Sequence, residues 1–134
     1  MPSGTCLCGT YRYTVTGPFG DVRYCHCGQC RRGNGSAFSA NARIERSQWT
    51  LEGSLDQVTE FEHKPGKFKA FCSRCGSPLY ARSSQDPNDI RVRLGGFEGV
   101  LDVTITGHVW ASSKATWYTI EDSIPCYPEA WRAS

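Results

Sequence analysis

Eight cysteines stand in this 134-residue chain, and seven of them fall into three tight groups: Cys6-x-Cys8, Cys25-x-Cys27-x-x-Cys30 and Cys72-x-x-Cys75, with Cys126 alone. Spacings of one or two residues let a single turn offer two or three sulfurs to one metal ion. Tetrahedral zinc takes four such donors at about 2.3 Å. The first and last groups together supply four thiolates, the complement of a closed structural site at Cys6, Cys8, Cys72 and Cys75. Both groups end in glycine, Cys6-Leu7-Cys8-Gly9 and Phe71-Cys72-Ser73-Arg74-Cys75-Gly76. A knuckle that turns its backbone N–H groups toward sulfur needs a residue tolerant of positive φ at that point. The competing reading, buried free cysteine in a core, explains neither the spacing nor the glycines. Structural zinc is worth about 10–16 kcal/mol of apparent binding energy in small peptides, more than the net stability of a typical domain.

The middle group, Tyr24-Cys25-His26-Cys27-Gly28-Gln29-Cys30-Arg31-Arg32, offers three thiolates and no evident fourth donor. Structural zinc is closed by four protein ligands, whereas catalytic zinc keeps one position for water or substrate. His26 lies between two ligand-type cysteines on what reads as an extended segment, so its ring is expected on the opposite face. His63, His108 or Cys126 could close the site from a distance, which would make it a second structural zinc. A three-thiolate zinc carries a formal local charge of −1, making it a poor Lewis acid toward carbonyls and a better holder of an exogenous thiol. A free thiol of pKa near 8.5 is only a few per cent ionised at neutral pH. Ligation removes that limit, and a thiolate held beside an aldehyde can add to the carbonyl. Arg31, Arg32 and Lys114 are candidates for binding a ligand's carboxylates, with solvated surface charge as the alternative for each.

The elements that must hold these groups read as short strands. Tyr11, Tyr13 and Val15 alternate, as do Phe38, Ala40 and Ala42, and Ile90, Val92 and Leu94. Turn signals fall at Gly17-Pro18, Pro65-Gly66 and Pro87-Asn88-Asp89, with Pro65-Gly66 placed to close a hairpin. No long window carries a 3.6-residue apolar stripe, so helices are expected to be few and limited to single turns, one of them over Ser47–Leu51. Three of the four tryptophans, Trp110, Trp117 and Trp131, stand in the tail, which is expected to pack onto the core. With no linker or internal repeat, residues 1–134 are expected to form a single domain.

Charge narrows the function. Fifteen Lys and Arg against thirteen Asp and Glu give +2. Two zinc ions with seven thiolates add −3, leaving about −1 for the loaded protein. Neither that balance nor any Lys/Arg stripe interleaved with aromatics favours nucleic acid. The sequence shows no signal-peptide pattern and no run of eighteen apolar residues, so the expected compartment is the cytoplasm, with no membrane partner. In a reducing cytosol the cysteines are expected to hold metal rather than form disulfides. A disulfide-stapled secreted domain is the reading this disfavours.

The motif order resembles the glutathione-dependent formaldehyde-activating enzyme family. The likeness rests on Gly4-Thr5-Cys6-Leu7-Cys8-Gly9, on Cys25-x-Cys27-x-x-Cys30-Arg31 with Gly35-Ser36-Ala37-Phe38, and on Phe71-Cys72 through Cys75-Gly76-Ser77-Pro78. It continues in Gly107-His108-Val109-Trp110, Ser113-Lys114, Trp117 and Asp122-Ser123-Ile124-Pro125. The resemblance implies a β-tent of stacked antiparallel sheets, a structural zinc at Cys6, Cys8, Cys72 and Cys75, and a catalytic-type zinc at Cys25, Cys27 and Cys30. It also implies a carbon–sulfur lyase activity, the condensation of formaldehyde with glutathione or its reverse, with glutathione or another small thiol as the partner. The alternative function is a non-catalytic zinc module that recognises a protein or nucleic acid.

Overall fold

The computed structural model describes residues 1–130. The chain forms two compact units, Met1–Gly20 with Ala42–Asp102, and Asp21–Asn41 with the residues from Val103 onward.

In the first unit, β1 (Ser3–Thr5), β2 (Arg12–Val15) and β5 (Trp49–Glu52) make one antiparallel sheet in the order β1-β2-β5. The second sheet of this unit runs β9-β8-β7-β6, from β6 (Val58–Lys64), β7 (Lys67–Cys72), β8 (Pro78–Ser83) and β9 (Asp86–Arg93). Beside β9 lie the last residues of β4 (Ser39–Glu45). Alternation in β2 works as read: Tyr11, Tyr13 and Val15 are all buried. Tyr11 and Tyr13 meet Cys6, Cys72 and Leu79 in one core, with Trp49, Leu51, Val58, Tyr80 and Phe97 packed around it. Tyr13 stacks on Trp49 at 5.0 Å and meets Phe97 edge-on at 5.1 Å. The sheets therefore stack through an aromatic layer that contains sulfur.

Irregularities fall where the sequence carries its turn residues. Pro65-Gly66 closes the β6–β7 hairpin. The proline's fixed φ does not match the twist of the tightest hairpins, and a register shift between Glu62 and Lys64 accompanies it. Pro87-Asn88-Asp89 is not a turn. These residues lie within β9, and the chain reverses one step earlier at Ser84-Gln85. Because proline cannot donate to a sheet ladder, the pairing jumps there from Arg82↔Ile90 to Ser83↔Asp86, and the Pro87–Asp89 step becomes a bulge.

Two other expectations need correction. The turn expected over Ser47–Leu51 is a 3₁₀ turn at Arg46–Gln48, because Trp49 to Leu51 is taken up by pairing with β2. In β4 the buried positions are Ser39, Ala42 and Ile44, while Ala40, and Phe38 just before the strand, are only half-buried.

The second unit holds β3 (Val22–Cys25), helix α1 (Gly28–Asn34) and β10 (Gly107–Val109). β10 lies parallel to β3, with Val109 opposite Cys25. Parallel partners need a long connection, and these are joined through more than eighty residues of chain. The tail does not pack uniformly. Trp110 lies against Cys25, Cys30 and Val109, whereas Trp117 is 72% exposed and Ala115 takes the inward place. Trp131 lies outside the described residues. No helix among the described residues is long and apolar enough to cross a membrane.

Candidate metal centres

The four outer cysteines converge. Cys6 and Cys8 flank the β1–β2 turn, and Cys72 and Cys75 the β7–β8 turn. Each turn is closed by a glycine N–H bonded to the first cysteine's carbonyl, Gly9 to Cys6 at 3.1 Å and Gly76 to Cys72 at 2.7 Å. Both glycines sit near φ +78°, at 78° and 79°, a region that costs an L-residue about 1–2 kcal/mol. The turns are tied together by the Leu7 N–H, which donates to the Ser77 hydroxyl at 2.9 Å. A bulge between Ala70 and Phe71 bends β7 beside the second turn.

All four sulfurs lie within 4.8 Å of one another. Cys6 to Cys8 is 3.6 Å and Cys8 to Cys72 is 3.8 Å. A tetrahedron with about 2.3 Å metal–sulfur bonds has edges of about 3.8 Å, so the sulfurs already stand at the spacing such a metal requires. Thiol chemistry agrees. Burial raises the Cys72 thiol to about 11. Burial also opposes ionisation of Cys75, but hydrogen bonds led by Ser77 bring it down to about 5. Bonding to Thr10 lowers Cys8. Protons alone leave the cluster unevenly charged, and a divalent cation would accept all four as thiolates.

The trio is built differently. Cys25 ends β3, Cys27 is the N-cap of α1 with its Sγ accepting the Cys30 N–H at 3.4 Å, and Cys30 lies in the first helical turn. The helix stops at Gly35, in the left-handed conformation, whose N–H bonds to the Arg31 carbonyl at 2.8 Å. The three sulfurs also lie within 4.8 Å of one another, and among the described residues no fourth His, Cys, Asp or Glu donor joins them. The Cys25 thiol is driven up, first by its bond with Cys30 and then by burial, as expected of crowded sulfurs without a counter-cation. Trp110, held at φ 56°, packs against the trio with Val109 and Tyr127. Every cysteine among the described residues is free, none in a disulfide.

None of the residues considered as a fourth ligand joins the trio. His26 is fully buried, and its ring Nε2 lies 2.8 Å from His108 Nδ1. His108 Nε2 in turn meets both carboxylate oxygens of Asp122, at 3.0 and 3.1 Å. Phe38 and Tyr118 ring His26 at 5.1 and 6.1 Å. Desolvation, followed by the repulsion of His108, Lys114 and Arg31, lowers His26 to about 4. His63 stands in β6. Cys126 is exposed, its sulfur 3.7 Å from the Ile124 carbonyl.

The carboxylate-binding candidates are held by backbone. Arg31 Nε donates to the His26 carbonyl at 3.4 Å. Lys114 Nζ donates to the carbonyls of Ala115, at 3.1 Å, and of Tyr118. Arg32 is exposed on α1. Sequence reasoning missed the pairing of His26 with His108 and Asp122, and the ring of Tyr118. The sequence signal was that His26, His108 and Asp122 stand in the motifs quoted above, far apart in the chain, whereas Tyr118 stands in none of them.

The family model of the glutathione-dependent formaldehyde-activating enzyme matches residues 1–113. An uncharacterized lyase of Schizosaccharomyces pombe is 24% identical over 115 residues, covering 86% of this chain and 82% of that protein. A Rhodobacter sphaeroides protein of known crystal structure is 25% identical, with a TM-score of 0.61 over 75% of this chain and 91% of that one. Because the family match takes in all seven clustered cysteines, the chain belongs to the glutathione-dependent formaldehyde-activating enzyme family.

Proposed function

We propose that this protein is a zinc-dependent carbon–sulfur lyase that makes or breaks the adduct of glutathione, or a related small thiol, with formaldehyde or a related aldehyde. The observation that carries the reading is the contrast between the two sulfur groups among the described residues: four donors at Cys6, Cys8, Cys72 and Cys75, but three at Cys25, Cys27 and Cys30. The family membership and the lyase relative support the reaction class. In this reading the two units act as a single domain.

Cys6, Cys8, Cys72 and Cys75 would hold a structural zinc, and Cys25, Cys27 and Cys30 a second one with a position to spare. A zinc held by three thiolates supplies a place where a fourth thiol binds as thiolate at neutral pH. In the synthetic direction the thiol sulfur bonds to the carbonyl carbon, and the carbonyl oxygen gains the proton the thiol gives up. The reverse reaction breaks that carbon–sulfur bond and returns the proton to sulfur. The protein's part is to orient the groups and shield them from water. Trp110, Val109 and Tyr127 pack around the trio, which favours a small partner. Arg31 and Lys114 stand close enough to His26 for their charges to be felt there, and they are the cations proposed to meet the thiol's carboxylates.

The test is titration of cobalt-substituted protein with glutathione. The expected result is a change in the thiolate-to-cobalt bands that saturates at one thiol per chain. Unchanged spectra, with no acceleration of adduct formation in the zinc protein, would contradict the reading. Arg31→Ala or Lys114→Ala should weaken thiol binding by about tenfold, as expected for loss of a charge-assisted hydrogen bond.

A further inference from the structure

Sheet register gathers cations around a small residue in the first unit. Lys67 lies opposite Ser83 and Lys69 opposite Ala81 across β7 and β8, and Arg91 lies opposite Ala81 across β8 and β9. Directly paired residues share a sheet face, and so do residues two apart on one strand. Lys67, Lys69 and Arg91 therefore stand on the face that also carries Ala81 and Ser83. The strands bearing Lys67 and Arg91 are two strand spacings apart, about 10 Å, with β8 and its short Ala81 side chain between them. An open cavity of about 180 Å³ lies there, bordered by Lys67, Ala81, Ser83, Asp89 and Arg91. Arg82 borders it too, but its guanidinium is committed to Glu60 by two bonds.

Ser83 gives this cavity its chemistry. The residue is 8% exposed. Lys67 Nζ donates to its hydroxyl oxygen at 3.3 Å, and the Gln85 N–H donates to it at 3.2 Å. A hydroxyl has two lone pairs and one hydrogen, so these bonds fill its acceptor side and neither uses its hydrogen. Leaving a buried donor unmet costs stability, and an anionic oxygen in the cavity would meet it. A merely solvated sheet face explains the lysines, but not a buried hydroxyl turned donor toward them. Asp89 does not spoil the site for an anion. Arg43 Nε meets one of its oxygens at 2.7 Å and Arg91 Nε the other at 3.3 Å, so it anchors Arg91 while that bond leaves the terminal nitrogens of Arg91 unspent. Asp86, opposite Ser83 at the hairpin end, is exposed and does not border the cavity.

We propose that the cavity over Ala81 binds a phosphate group, free or carried by a small monoester, through Lys67, Ser83 and Arg91. The three donors come from three adjacent strands, β7, β8 and β9. A carboxylate offers two oxygens in one plane, whereas a phosphate group offers at least three in a tetrahedral array, enough for one to each donor. Lysine supplies a point charge and arginine a planar fork, the pair of cations that phosphate sites use. With a water molecule taking about 30 Å³ of liquid, the cavity admits the phosphate group and leaves the rest of a monoester in solvent. The site lies wholly within the first unit, and neither metal nor thiol is needed for it.

The test is a nitrogen-15 NMR titration of the metal-loaded full chain at constant ionic strength, with inorganic phosphate in one arm and glycerol phosphate in the other. Amide shifts should concentrate at Lys67, Ser83, Gln85 and Arg91 and saturate at one phosphate per chain, with a dissociation constant of about 1 mM or tighter. Tighter binding of glycerol phosphate assigns a monoester, and equal or weaker binding assigns the free ion. Lys67→Gln, Arg91→Gln and Ser83→Ala should each weaken binding about tenfold, as for a hydrogen bond to a charged group. Lys69→Gln, on the same face but not bordering the cavity, should weaken it less than about threefold. A loss in Lys69→Gln equal to that in Lys67→Gln would mean a general positive field and overturn the site, and so would no shift from either phosphate. Shifts confined to Cys25–Cys30 would put the anion at the metal instead. Glutathione moving the same amides as strongly as phosphate, or oligothymidylate moving them where neither phosphate does, would overturn the ligand assignment.

Discussion

At the scale of single residues, the two sulfur groups should respond differently to loss of one ligand. Cys72 is fully buried within the aromatic core and Cys6 is 2% exposed, so Cys72→Ser removes a metal ligand and perturbs the packing around it. It should lose one metal per chain and unfold the first unit, read as loss of near-ultraviolet circular dichroism. Cys30→Ser should also lose one metal yet keep that signal, because its contacts are with Val109, Trp110 and Tyr127 rather than the Tyr13–Trp49 layer. Gly76 offers a finer probe. A Cβ there would touch nothing within 4 Å, so Gly76→Ala tests backbone conformation alone. At φ 79° it should lower stability by about 1 kcal/mol, measured by denaturant midpoint.

At the scale of elements, strands β6, β7 and β8 share a polar face that can be tested by pH. Arg82 grips Glu60 with two bonds, at 2.7 and 2.8 Å, Tyr80 donates to the same carboxylate at 2.7 Å, and Arg82 stacks over Phe68 at 4.1 Å. The Arg82 hydrogen bond holds the Glu60 carboxyl below its ordinary value of 4.5. A depressed folded pKa means that unfolding takes up a proton. The stabilisation is therefore complete above about pH 4.5 and is lost as pH falls through the folded value. Glu60→Gln should cost about 1 kcal/mol at neutral pH and flatten the acid limb of the unfolding profile. The limits of the sequence reading also belong to this scale. Tyr11, Tyr13 and Val15 gave their strand away because one sheet face is fully buried, and Pro65-Gly66 gave away its hairpin. Pro87-Asn88-Asp89 misled because proline is tolerated in a bulge as well as in a turn. Helix α1 was hidden because seven residues, GQCRRGN, are too few to show an apolar period. An isolated helix of that length is marginal in water, and its anchors here are the Cys27 cap and the buried Cys30. Removing the second metal should therefore raise amide exchange over residues 28–34 more than over β7.

At the scale of the whole molecule, the seven clustered cysteines were legible because ligand spacing is local. What lay beyond the sequence was that none of His26, His63, His108 and Cys126 joins Cys25, Cys27 and Cys30, since all four were compatible with that place. Only the geometry of the His26–His108–Asp122 chain shows where two of those rings are used. The loaded protein should unfold in one cooperative transition if the two units act as a single domain. Strong chelation should lower the midpoint sharply, because a cage worth about 10–16 kcal/mol in small peptides rivals the net stability of a typical domain. The most direct check on the central claim is the zinc content of protein purified without chelator, set against the number of alkylatable thiols in the same sample. The account predicts two zinc ions per chain and one readily alkylated thiol, Cys126, which is exposed. One zinc per chain, with Cys25, Cys27 and Cys30 all open to alkylation under reducing conditions, would contradict it.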